Sequence, residues 1–550
     1  MKLKTAYKGN VTGTEPWAEA AFNNGRLCSR GVLAYEQLRD PTRLRKPLIR
    51  KNGRLAEASW REAISYITGE IRRISARHSP NAVGFYGSGR RKTEAIYLFH
   101  KLAAVGVGTS SVSTSLSQCH PAAVEAYIRA FGSPRNPNPF EDVAEAGFLL
   151  IIGANPAECH PVLMNNILKA KSKGGTLVVV DPERTQTAKF ADVHLQVKPG
   201  TDAVFLQGLL HECTRLGLVD ESFMAERTRG FDELRKSLSS FTAEYASSVT
   251  EVPRHLIVDM AQRYAASAGS MILHGYGLEA QPDPVEANLA VTNLALATGQ
   301  IGGPGRGCLP LPGQPNAQGT TQVTAALQIL NLPRSRSEDH RGQLAKVWGV
   351  PLEKLPSVPT LSGSSIMDAC LRGELKALYI YGSNPVASMT ELGYVKEALE
   401  KLELLVVHDA FATEAANMAH AVLPGSCWVE EDGTVTSGEG RMARIGKITR
   451  APDEAEEDWR IFTKLAESLG AGRYFTHASV ETVFEEFKQL TSDLPLDCRG
   501  VTYERLNREN GVFIPCASGE DPGTKRLYEH SFATEDGRGV FAPCLSKSAK

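Results

Sequence analysis

LLIIGANPAE (residues 149–158), followed by LVVVDPERTQTAKFADVHL (177–195), is the stretch on which the fold turns. An apolar run ends in a glycine turn, Asn-Pro opens a helix, and the next apolar run ends in aspartate. A second copy reads LYIYGSNPVA (378–387) and LVVHDAFATEAANMAHAVL (405–423). From Gly153 to Asp181 is 28 residues, and from Gly382 to Asp409 is 27. Asn155-Pro156 and Asn384-Pro385 sit at the same place in each copy. Each copy is a strand–turn–helix–strand unit whose Gly turn and Asp lie at the carboxyl edge of a parallel sheet. Open α/β sheets bind dinucleotides there, with backbone N–H groups toward phosphate and a carboxylate within reach of a ribose or base. A plain βαβ unit with a Gly turn gives the same local pattern. The duplication points further, to a pseudo-symmetric protein with two nucleotide-like half-sites.

Outward from the repeat, short apolar runs at Val83–Tyr86, Met271–Leu273, Ala377–Tyr381 and Leu404–Val407 alternate with helical periods at Glu94–Ala104, Pro161–Ser172 and Asp202–Arg215. This alternation predicts α/β architecture with largely parallel, doubly wound sheets. The 550 residues suffice for several domains, and 42% hydrophobic with 22% charged residues is an ordinary globular composition. With 61 basic and 62 acidic residues, no cationic field favours nucleic acid. The longest apolar runs, such as Gly147–Gly153, are far shorter than a membrane span. Met1–Trp17 has no apolar signal core. The expectation is a cytoplasmic protein without direct membrane insertion. Ten scattered cysteines with no CxxC form neither a disulfide framework nor a zinc site.

Two further segments carry candidate chemistry. GQIGGPGRGCLPLPGQPNAQGTTQ (299–322) is too glycine-rich for regular structure over its length, and its Gln314, Asn316 and Gln318 are spaced like an amide-rich ligand cradle. A long connecting loop is the alternative. Cys119-His120-Pro121 precedes AAVEAYIRAF, which reads as a helix with Pro121 at its first position. A helix N-terminus favours thiolate over thiol, and a thiolate is a soft ligand suited to a heavy metal. His120 could pass or accept a proton. A buried inert cysteine and a nucleophilic cysteine remain alternatives, although no Asn or Asp can be assigned to orient His120.

Taken in order, NNGRLCSRG, QCHPAAVEAYIRAFGS, IIGANPAECHP, VVVDPERTQTAKFADVHLQVKPGTD, GQIGGPGRG, GQPNAQG, YGSNPVAS and VLPGSCWVEEDGTVTSGEGR resemble the motifs of the molybdopterin oxidoreductase family, with the formate dehydrogenase large subunit nearest. The resemblance runs from about Asn23 to Pro543. It implies two Rossmann-like α/β domains and a molybdenum or tungsten bis(molybdopterin guanine dinucleotide) cofactor. Cys119 would be the metal ligand and His120 the acid/base. Gly153, Asn155, Asp181, Glu183 and Thr185 would hold one dinucleotide, and Gly382, Asn384, Asp409 and Thr413 the other. Gly275 and Gly277 join the cofactor-binding set, and Gln314 and Asn316 would line the pterin region.

Three departures qualify what the resemblance implies. Of the four cysteines that hold the family's [4Fe–4S] cluster only Cys28 matches, so a cluster is not expected from this chain alone; Arg30 stands where the family usually has Lys. Pro312 stands where formate dehydrogenases carry the arginine that orients formate. GQPNAQG resembles the nitrate reductase branch. The family's C-terminal dinucleotide-closing domain is not expected here. These features lead to a catalytic-type subunit for a small-molecule substrate, completed by an iron–sulfur electron-transfer subunit and by a separate chain for the C-terminal domain. A non-catalytic structural or assembly paralogue, and a truncated relic, are the competing readings. The expected organisation is a remnant of the iron–sulfur domain at 1–60, an α/β domain from 61–117 plus 333–490, an inserted α/β domain at 118–332, and a surface-wrapping tail at 491–550.

Overall fold

A computed structural model describes residues 1–6, 11–20, 23, 25–327, 340–356 and 363–544. Asn24 of the first quoted motif and the boundary expected at 332/333 lie outside the described residues. The strands of the two main sheets are β1 (Leu48–Lys51), β2 (Arg54–Glu57), β3 (Val83–Gly87), β4 (Val112–Thr114), β5 (Phe148–Ile152), β6 (Thr176–Val180), β7 (Val193–Leu195), β8 (Ser270–His274), β9 (Gly307–Pro310), β10 (Ala377–Tyr381), β11 (Leu404–Asp409) and β12 (Ala421–Pro424). One sheet has the order β2-β1-β12-β11-β10-β3-β4, and the other β9-β8-β5-β6-β7. All pairings are parallel except those of β1 with β2 and β12.

The strands are continuous apolar runs because parallel strands are covered on both faces. Side chains alternate between two cores with period two. Phe148, Leu150 and Ile152 enter one core, while Leu149 and Ile151 enter another. Ala377, Tyr379 and Tyr381 face Phe99 and Phe462; Leu378 and Ile380 face Val395 and Leu399. A one-residue slip would exchange these sets, so the register is fixed by packing.

The helices that bear on the site are α1 (Trp60–Arg77), α2 (Thr93–Lys101), α3 (Pro121–Phe131), α4 (Pro156–Cys159), α5 (Pro161–Ser172), α6 (Asp202–Arg215), α7 (Pro284–Ala297), α8 (Pro385–Ser388) and α9 (Asp458–Ser468). The expected helices at 161–172 and 202–215 are α5 and α6. The one expected at 94–104 divides, because α2 runs into a wider π-type turn at Leu102–Val107 that ends on Gly108 in the left-handed region. Helix α7 is buried along most of its length, its Asn288, Thr292 and Asn293 included, and packs against α3 and α6.

Past Leu490 the chain is held in both halves. Tyr503 and Leu506 join the core of the larger sheet, and Phe532 and Phe541 that of the smaller. Gly539–Val540 pairs with Thr228–Arg229, and the Arg526 guanidinium binds both oxygens of the buried Asp142 carboxylate at 2.6 and 2.7 Å. Among the described residues no helix is long and apolar enough to cross a membrane.

Candidate active site

In each sheet the chain builds outward in one direction and then in the other. The reversal falls between β5 and β8 in the smaller sheet and between β10 and β3 in the larger. Loops leaving the carboxyl ends at such a reversal diverge and leave a crevice. The two glycine turns of the repeat flank these reversals. Gly153 and Gly382 have φ of 57° and 60°. Their amides donate to Val180 O at 3.1 Å and His408 O at 2.8 Å, tying each turn to the next strand.

The two crevices are finished differently. At the first, a Cβ on Gly277 would stand 2.5 Å from Gly153 Cα, so two backbones meet where only glycine fits. At the second, the Arg91 side chain fills the turn, and a Cβ on Gly382 would overlap its Nε. Arg91 donates to Ser426 O at 2.8 Å and lies 3.4 Å from Asp409 and 3.5 Å from Asp458. Burial opposes its charge, and the Asp458 and Asp409 carboxylates more than offset that.

A cavity of about 360 Å³ opens at the first crevice and reaches the loops of the larger sheet. Cys119, His120, Gly153, Asn155, Gly275 and Gln314 line it together. Cys119 is half-buried and immediately precedes His120, the N-cap of α3. Both ring nitrogens of buried His120 lack a hydrogen-bond partner among the described residues, and burial lowers its pKa to about 4.

The expectation that the start of α3 favours thiolate is not met. Burial pushes the Cys119 thiol up, and the Glu279 carboxylate adds to this; the Gly313 and Gln314 backbone and Arg90 work the other way. Burial is the larger cause, and the helix end does not offset it. Glu279 accepts the Ala122 and Ala123 N–H groups at 3.0 and 2.9 Å, so a carboxylate already sits on the positive end of the helix.

The remaining expected residues lie away from this cavity or are engaged within the fold. Asn155 Oδ1 accepts from Thr187 Oγ1 at 2.7 Å and its N–H at 3.2 Å; Asn384 Oδ1 accepts the Ala415 N–H at 3.3 Å. The two asparagines thus brace the segment after the following strand in both copies. Half-buried Asp181 accepts the Glu183 N–H at 2.9 Å, and burial raises its pKa. Glu183 is exposed, Thr185 Oγ1 accepts the Ala188 N–H at 3.2 Å, and Thr413 caps the short helix that follows it. Asp409 is buried against Arg91 and accepts the Ala410 N–H at 2.6 Å. Asn316 is fully buried; it donates to Arg91 O at 2.8 Å and accepts the Thr436 N–H at 2.7 Å, holding the loop rather than lining the cavity. Gln314 clasps Ser115, accepting its hydroxyl at 2.8 Å. Half-buried Cys28 lies near α4 through Arg30, which donates to Cys159 O at 2.8 Å.

Sequence reasoning missed Arg90, His160, His274, Tyr276 and Glu279, which also line the cavity. His274 ends β8; its Nε2 is 3.1 Å from Tyr127 Oη, and burial, then His120, lower its pKa to about 3. Its place at a strand's carboxyl end was the available signal. Nothing local marks Glu279, which meets α3 from more than 150 residues away.

The residues fit a bulky group held by a soft ligand. Among the described residues the cavity offers a thiol and an unpartnered imidazole, with Gly153, Gly275 and Gly313 contributing backbone to its lining.

A family profile described as molybdopterin oxidoreductase matches residues 43–468. The chain is 38% identical over 537 residues to the F420-dependent formate dehydrogenase 1 subunit alpha of Methanococcus maripaludis, covering 97% of this chain and 77% of that one. It is 35% identical over 520 residues to the assimilatory nitrate reductase catalytic subunit of Bacillus subtilis, covering 94% and 73%. The fold matches that of acetylene hydratase from Pelobacter acetylenicus with a TM-score of 0.77 at 18% identity, over 98% of this chain and 75% of that one.

Proposed function

The chain belongs to the molybdopterin oxidoreductase family, and from that premise we propose that it is a formate dehydrogenase-like catalytic subunit transferring two electrons between a small oxyanion and a molybdenum or tungsten bis(pterin guanine dinucleotide) centre. The observation that carries the reading is the pairing of Cys119 with an unpartnered His120 in a cavity at a sheet reversal. In this reading the inserted part, 118–332, supplies the thiolate, and the flanking parts, 61–117 and 333–490, supply the opposite wall. The electron acceptor is an iron–sulfur partner subunit.

When bound, the metal–pterin group supplies the two-electron redox chemistry. The chain's own residues do the rest. Cys119 contributes a thiolate ligand. His120, with neither ring nitrogen hydrogen-bonded among the described residues, takes up a proton released from substrate at either ring atom. Its burial keeps competing water away from that proton. Glu279 holds the start of α3, and so the Cys119–His120 turn, in place. Gly153 and Gly275 let the turns after β5 and β8 pack against each other in the cavity lining, and Gln314 is held at the rim by Ser115.

A nitrate-type substrate is the second reading. It is favoured by Pro312, which puts no cation at the formate position; its carbonyl is 3.1 Å from His160 Nε2. The test is a dye-linked assay of the metal-loaded chain. Formate-driven reduction of a viologen supports the first reading. Nitrate-driven oxidation of reduced viologen, without formate activity, replaces it with the second. Inactivity toward both at full metal loading favours the non-catalytic paralogue.

A further inference from the structure

The loop after β3 carries three successive cations, Arg90, Arg91 and Lys92. Two are consumed by the fold. Arg91 is paired with Asp409 and Asp458 in the second crevice. Buried Lys92 donates to Ile445 O at 2.9 Å and Glu431 O at 3.4 Å. Arg90 is different. It is exposed, and among the described residues its guanidinium has no hydrogen bond, ion pair or ring contact. It lines the cavity with Cys119, His120 and Gln314, and among the described residues it is the only Lys or Arg in that lining.

The loop that presents it is fixed. A Cβ on Gly89 would stand 2.5 Å from Gln314 Oε1 and 2.9 Å from Leu116, and the Gly89 carbonyl accepts the Asn316 N–H at 3.0 Å. The cavity's carboxylate, Glu279, is spent on the Ala122 and Ala123 amides and does not neutralise Arg90 through an ion pair. Arg90's charge is felt at the Cys119 thiol, which it draws downward against burial. An unpaired guanidinium fork beside a reactive centre suits a planar oxyanion, which it can bind through two parallel N–H donors.

We propose that Arg90 is the specificity-determining residue of this cavity, taking the charge of a small planar oxyanion, carboxylate or nitrate, beside Cys119. It thereby supplies, from the β3 loop, the cation that Pro312 does not. The inference rests on the reading of the cavity as a substrate site. An oxyanion there has two sources, the substrate or a phosphate of the dinucleotide, and the experiment separates them.

The first arm needs no cofactor. Cys119 in the apo chain is alkylated in parallel with anionic iodoacetate and neutral iodoacetamide, and the Cys119 peptide is quantified by mass spectrometry. The ratio of the two rates cancels any change in thiol ionisation. In Arg90→Ala the iodoacetate-to-iodoacetamide ratio should fall about fivefold, with a smaller fall in Arg90→Lys. Formate or nitrate should slow iodoacetate labelling of the native chain and not of Arg90→Ala. An unchanged ratio overturns the proposal.

The second arm uses metal-loaded protein. A KM for the oxyanion raised about tenfold in Arg90→Ala, with kcat and metal content little changed, assigns the charge to substrate. Loss of metal and pterin, with no rise in KM of the remainder, assigns it to a cofactor phosphate and overturns the substrate role. Should the native chain take up no metal at all, the oxidoreductase reading fails, and the labelling ratio still decides whether Arg90 holds oxyanions.

Discussion

Gly153 and Gly277 touch backbone to backbone: the Gly277 N–H donates to Gly153 O at 2.9 Å, with the two Cα atoms close enough that neither residue tolerates a Cβ. This contact joins the ends of β5 and β8 and sets the width of the first crevice. Gly277→Ala has no flexible side chain to push aside. It should cost about 1–3 kcal/mol, read as a lower thermal midpoint, and it should also reduce pterin content. An unaltered midpoint would show that the crevice yields more than this contact implies.

At the second crevice the same space is held by charge. Arg91→Ala leaves Asp409 and Asp458 buried without their cation, and breaking such a pair costs about 3–5 kcal/mol. Arg91→Lys should recover only part, because an ammonium cannot span Ser426 O and two carboxylates as the guanidinium does. Denaturant unfolding of both variants measures the difference.

The matched asparagines give a paired prediction. Asn155→Ala loses two hydrogen bonds to Thr187 and should cost about 1–3 kcal/mol. Asn384→Ala loses the brace to Ala415 and a 2.5 Å bond to Glu414, with a similar cost. If both variants keep full stability yet lose cofactor, the asparagines serve the ligand rather than the fold.

Asp202, at the start of α6, carries a pH signature. Burial raises its pKa to about 6, opposed by its own helix N–H and by Gln281, which donates to it at 2.7 Å. A carboxyl raised on folding favours the fold below its ordinary value of 3.8, and that contribution is lost as pH rises through about 6. Asp202→Asn keeps an acceptor for Gln281 and removes the ionisation. Between pH 4 and 7 it should therefore gain stability relative to the native chain, on the order of 2–3 kcal/mol. A constant difference across that range would contradict the assignment.

What the sequence revealed was local, and what it hid was long-range. Phe148–Ile152 and Ala377–Tyr381 are legible as strands because burial on both faces demands unbroken apolar runs. The glycine turns and the Cys119-His120-Pro121 helix start follow from backbone chemistry within a few residues. Asn155, through the resemblance, and Asn316, through the amide-rich segment, are expected to bind cofactor. Their hydrogen-bond partners, Thr187 and Thr436, lie far along the chain, so only the fold shows that both asparagines also brace it. At Cys119 the helix-end argument is outweighed first by burial and then by Glu279, which arrives from a distant turn; neither is visible locally. Arg90 and Arg91 are adjacent, yet only the fold shows that Arg91 is half-buried in ion pairs and Arg90 lines the cavity.

The central claim is that Cys119 is the chain's ligand to a metal–pterin group in the first crevice. The most direct measurement is metal and pterin analysis of the purified chain, expressed with molybdate and tungstate, together with X-ray absorption at the metal edge. About one Mo or W per chain with pterin is expected, and one sulfur ligand fewer, or loss of the metal, in Cys119→Ala. A native chain free of metal and pterin under both supplies, or a Cys119→Ala variant with unchanged metal coordination, would contradict it.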